Sequence, residues 1–136
     1  MKKKVIERNL TSPWSLKKPL FIKEDDKRYK KAIKQLKTQG FACDETWSLD
    51  SVIAQFVLPR LKRFKELNIG FPGGNDMTYE KWNIILDKMI FAFHWSLHNE
   101  DDSCVGDFTD KQVNDCWKKY DEGIKLFAEW FRHLWW

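Results

Sequence analysis

His94 and His98 stand four residues apart within a helical pattern, so both imidazoles project from one side of a helix and have the spacing of a zinc chelate. A zinc-hydrolase helix would carry Glu immediately after the first histidine, whereas this chain has Trp95 there. The other donors within reach along the sequence, Glu100, Cys104 and Cys116, share no motif spacing with the pair. The pair therefore reads as one histidine partly buried on an apolar helix and one solvated near its end, with no metal and no cofactor expected. The carboxylate groups Asp44/Glu45, Glu100/Asp101/Asp102 and Asp121/Glu122 fall in or beside polar connections and cap positions, where solvation explains them. Three histidines and three cysteines in no shared motif assemble no nucleophile and base, so the chain reads as a binding protein and not an enzyme.

Binding chemistry has three better-supported locations. Gly70-Phe71-Pro72-Gly73-Gly74 precedes a helix start, where free backbone N–H groups can hold a phosphate, but it lacks the Gly-Lys-Ser/Thr ending of a P-loop. A turn wedged by Phe71 and Pro72 is the expectation there. Residues 1–40 carry thirteen Lys/Arg against four Asp/Glu, a charge of +9, while residues 41–136 carry eleven against sixteen, or −5. Lys17, Lys18, Arg28, Lys31 and Lys34, interspersed with Trp14, Phe21 and Tyr29, form a candidate anion-binding track of the kind that follows single-stranded nucleic acid. The densest aromatic run, residues 127–136, offers Trp130, Arg132, Trp135 and Trp136 as candidate partner-interface residues, since Trp and Arg anchor interfaces; burial in the protein's own core is the alternative.

The elements that must position these groups are helical. Glu24, Asp25 and Asp26 at the start and Gly40 at the end bound a first helix over 25–38, with Tyr29, Ile33 and Leu36 on one stripe and lysines elsewhere. Leu49, Val52, Ile53, Phe56, Val57, Leu61, Phe64 and Leu67 mark a second helix that starts at Ser48 as N-cap and is kinked or broken at Pro59. Thr78 caps a third, with Trp82, Ile85, Leu86, Met89, Phe93 and Leu97 on its main face and further apolar residues around it, the mark of a helix covered on more than one side. An acidic loop is expected over 99–107. Thr109 and Gln112 then form a capping box for a fourth helix running through Leu134, in which Gly123 marks a close helix contact.

The expectation is thus an all-α fold, one domain spanning 1–136, with a bundle of about four helices as the body (41–136) and a basic extended arm and first helix (1–40). Hydrophobic residues at 43% and charged residues at 32% fit a folded domain and exclude a disordered chain. No apolar run reaches the 18 or more residues of a membrane span, the Lys2-Lys3-Lys4 start lacks a signal-peptide core, and the cysteine number is odd. A cytoplasmic protein with reduced thiols and no membrane contact is expected, and its surplus of eight Trp and ten Phe points to partners or to a homo-oligomer.

The segments Glu45-Thr46-Trp47-Ser48-Leu49-Asp50, Gly70-Phe71-Pro72-Gly73, Trp82 with Leu86, Lys88 and Met89, and the G-x-x-L-F-A-x-x-F-x-x-L-W run from Gly123 to Trp135 resemble, in this order, small uncharacterised proteins of tailed bacteriophages. The resemblance covers roughly residues 43–136. The basic first third lies outside it, and Trp136 stands where such proteins often end in an acidic residue. It implies a viral accessory protein in a bacterial host and transfers no catalytic residue. The resulting expectation is a non-enzymatic helical protein that blocks or sequesters a host component, such as a host protein or a small anionic nucleotide, in countering an antiviral defence. The alternative is a nucleic-acid- or nucleotide-binding accessory that works through the basic arm.

Overall fold

A computed structural model describes Pro19 and residues 22–74, 76–105 and 108–135, with 100–105 as backbone alone. The fold is all-α: four α-helices and two short 3-10 turns, with no strand among the described residues. The chain divides into two compact units, Met1–Phe56 and Val57–Trp136, the division falling inside the second helix.

In the first unit, α1 spans Tyr29–Gln39 and begins later than the acidic triplet suggested. Asp26 explains the delay. Its Oδ1 accepts the backbone N–H of Arg28 at 2.8 Å, and its carboxylate also holds the Arg28 guanidinium, so the segment closes as a turn. Such local side-chain bonds compete with helical ones. Gly40 ends the helix in the left-handed conformation at φ 88°, which only glycine adopts without strain. Ala32 and Leu36 are buried with Ala42, and Ile22 and Ile33 pack against them. A 3-10 turn, Cys43–Thr46, follows. Here Glu45 is buried, and its Oε2 accepts the Ala42 N–H at 2.8 Å.

The second helix, α2, spans Leu49–Leu67. The Ser48 carbonyl accepts the Val52 N–H as a first helical bond, but the Ser48 hydroxyl bonds the side chains of Asp50 and Ser51. Pro59 neither breaks nor ends α2. It leaves one carbonyl without its usual donor and is itself exposed, while Leu58 and Leu61 beside it are buried.

In the second unit, α3 spans Tyr79–Val105 and α4 spans Asp110–Trp130. The Thr78 hydroxyl accepts the Lys81 N–H, capping α3 as expected, and Thr109 with Gln112 closes the expected capping box at α4. The acidic stretch is not a loop, because α3 continues through it to Val105. No Gly or Pro lies between Asn99 and Val105 to stop the helix. Asn99, a residue expected to end it, turns its amide back onto the carbonyls of Trp95 and Ser96. The far end is also revised: α4 stops at Trp130 and tightens into a 3-10 turn, Phe131–His133.

Helices α3 and α4 pack face to face. Trp82, Leu86, Met89, Ala92, Phe93 and Trp95 are all buried. Edge-on ring pairs join the two helices at Trp82–Trp130, Phe93–Phe127 and Trp95–Trp117, with centroids 5.7, 4.9 and 5.8 Å apart. This arrangement matches the ring quadrupoles and adds to the area term. Gly123 is a point of close approach. A Cβ there would lie 2.3 Å from the Lys88 carbonyl oxygen and 2.6 Å from the Ala92 Cβ.

Candidate functional site

Within the second unit, the loop after α2 and the turn after α4 enclose one cleft. Its lining is residues 68–73, Trp82, His133 and Trp135, and its volume is about 320 Å³. Several local features build it. The Asn68 N–H bonds the Phe64 carbonyl to finish α2, and its buried side-chain amide donates to the Gly70 carbonyl, which folds the loop back on itself. The Tyr79 hydroxyl donates to the Asn68 carbonyl at 3.2 Å, tying the start of α3 to the loop. Gly74 and Asp76 take positive φ, 117° and 57°, and turn the chain into α3, with the Lys81 ammonium on the Asp76 carbonyl.

The opposite wall comes from the end of α4. Trp130 meets Trp82 edge-on, and His133 lies against Trp130 with centroids 5.3 Å apart. Trp82 is 1% exposed and floors the cleft, while the rim is left open to solvent: Ile69 is 91% exposed, Trp135 75% and Phe71 48%. Phe71 and Pro72 are thus a half-open wall and not a packed wedge. What the lining offers is aromatic rings, aliphatic surface and the backbone of a glycine-rich loop, with His133 as the one ionisable side chain among the described residues that line it.

The aromatic end therefore splits between the two readings made from sequence. Trp130 is half-buried and does core work, whereas Trp135 and Arg132 are exposed. Trp136 lies outside the described residues. Sequence reasoning did not join the glycine loop to this end, and it passed over His133. No signal in the sequence joins them; only the structure shows that Gly70 and Gly73 lack a positive φ and that an added Cβ meets nothing within 4 Å at either position.

The basic track is seen only in part. Lys17 and Lys18 lie outside the described residues. Lys30, Lys31, Lys34 and Lys37 are exposed along roughly a third of the circumference of α1, opposite Ala32 and Leu36. Arg28 is held apart from them by Asp26, with Nη2–Oδ2 at 2.8 Å. That hydrogen-bonded guanidinium, joined by the Arg28 N–H, holds the Asp26 carboxyl at about 2, well below the usual carboxylate range. The same contact raises the Arg28 guanidinium.

His94 and His98 are neighbours on α3, half-buried, with ring centroids 4.6 Å apart. Among the described residues no group of three or more His, Cys, Asp or Glu gathers where it could hold a metal. No described helix is long and apolar enough to cross a membrane. Comparison of the chain with protein-family models, curated proteins and solved structures returned no match.

Proposed function

We propose that this protein is a non-enzymatic helical binding protein that sequesters a host component, with the cleft between the glycine loop and the end of α4 as its recognition site. One observation carries the reading. Three large apolar side chains, Ile69, Phe71 and Trp135, stand exposed in the loop and beyond the terminal turn beside a concave floor on Trp82. Exposed rings around a pocket lose water on contact and are the usual anchors of recognition. The resemblance to small phage proteins supports a host component as the target and interference with an antiviral defence as the role.

Native mass spectrometry of the full chain recovered from bacterial cells tests this. A stoichiometric added mass that disappears in Trp135→Ala is expected. Recovery of the bare chain in both forms would end the proposal.

The lysine face of α1 favours a second reading, a nucleic-acid accessory. Lys31 and Lys34, with Lys30 and Lys37, would then contact phosphates. The logarithm of affinity for a single-stranded oligonucleotide should fall with log salt at a slope of roughly 0.7 per contact. A flat response removes this reading.

A further inference from the structure

Resting on the recognition reading above, we infer that the cleft takes a flat nitrogen heterocycle, the base of a small nucleotide, laid between the ring walls and the glycine backbone. Two glycines of the loop are not required by the free protein. Glycine is retained where the chain needs positive φ or where something approaches the backbone too closely for a Cβ. Gly74 meets the first condition at φ 117°, but Gly70 and Gly73 do not. Nor does the protein crowd them, since a Cβ at either would enter open space. Both nevertheless line the cleft. The space in front of them is thus what an incoming molecule would occupy, and its approach to the backbone explains why side chains are absent there.

The walls narrow the chemistry. Trp135, Phe71 and His133 put three aromatic rings in the lining, and the buried Trp82 closes the floor. Among the described residues no carboxylate, lysine or arginine lines the cleft, and one N–H of the Asn68 amide is taken up by the Gly70 carbonyl, so the buried part of the ligand is uncharged and planar. Freed N–H and C=O groups of the loop would pair with its edge, as backbone groups commonly do in small-ligand sites. A cavity of about 320 Å³ is at the small end of such sites, enough for a base but too small for a folded element of a protein.

Adenosine and guanosine monophosphates, titrated into the full chain and followed by saturation-transfer NMR, test the assignment, with N-acetyltryptophanamide as the protein-like probe. Gly70→Val and Gly73→Val, whose Cβ enters open space, fill the approach and should keep the thermal melt while abolishing saturation of the base protons. Trp135→Ala should weaken binding by roughly tenfold or more, the effect of losing one stacked ring. The assignment is overturned if neither nucleotide binds at millimolar concentration, or if binding survives unchanged in the valine variants and in Trp135→Ala. Binding of the tryptophan amide in the same cleft without either nucleotide would overturn the base assignment while leaving the recognition reading intact.

Discussion

Replacing Gly123 by alanine should destabilise the α3–α4 pair, although on helix propensity alone it should help. The added methyl carbon would sit 2.3 Å from the Lys88 carbonyl oxygen, 3.1 Å from the carbon of the same carbonyl and 2.6 Å from the Ala92 Cβ. Ordinary carbon–oxygen and carbon–carbon contacts begin at roughly 3.3 and 3.5 Å, so relief needs about 1 Å of separation. The nearest obstruction is backbone, which no rotamer change can move. Separation would instead loosen the edge-on pairs Trp82–Trp130 and Phe93–Phe127, which lie along the same contact. Overpacking of this kind costs roughly 1–3 kcal/mol and sometimes more, against about 1 kcal/mol gained from replacing a helical glycine. With the α3 backbone itself as the obstruction the upper part of the range applies, so a net loss of about 1–2 kcal/mol is expected, and a larger one for Gly123→Val. Urea unfolding followed by tryptophan fluorescence and far-ultraviolet circular dichroism measures it. Gly73→Ala is the control: its Cβ meets nothing, its φ is ordinary, and it should be neutral or stabilise by up to about 1 kcal/mol through the unfolded chain. A Gly123→Ala midpoint at or above that of the parent, with unchanged slope, would refute the close packing of these helices.

Three further outcomes are expected. Because the folded carboxyl of Asp26 is held at about 2, below the unfolded value near 3.9, its contribution to the turn before α1 is fully present above about pH 4 and is lost as pH falls through 2; NMR titration of the Arg28 amide should show this midpoint and lose it in Asp26→Asn. Thr109→Ala removes the acceptor of the Gln112 N–H and should cost about 1 kcal/mol by urea unfolding, whereas Thr109→Ser should restore most of it. The Lys88–Glu122 pair is about half exposed, so a double-mutant cycle should return a coupling under about 1 kcal/mol that fades in high salt; a salt-independent value above 2 kcal/mol would contradict its exposure.

What the sequence alone determined were features set by neighbours along the chain. Helical apolar spacing placed α2, α3 and α4. Thr78 and Thr109 announced their helix starts because a cap needs only its own residue and the next turn, and Gly40 announced a stop because its conformation is local. Gly123 was legible for the same reason, a glycine out of place in a helical pattern. Where local rules competed, tertiary structure or side-chain bonding decided: Asp26 chose a turn over a helical N-terminus, and α3 continued through its acidic residues because nothing in that stretch forbids a helix. The cleft belongs wholly to tertiary structure. Gly70 and Trp135 are 65 residues apart, and neither the loop nor the terminal turn contains a motif naming the other. Only the packing of α4 on α3, which seats Trp130 against Trp82, brings His133 and Trp135 to the glycines and gives those otherwise unexplained residues a common setting.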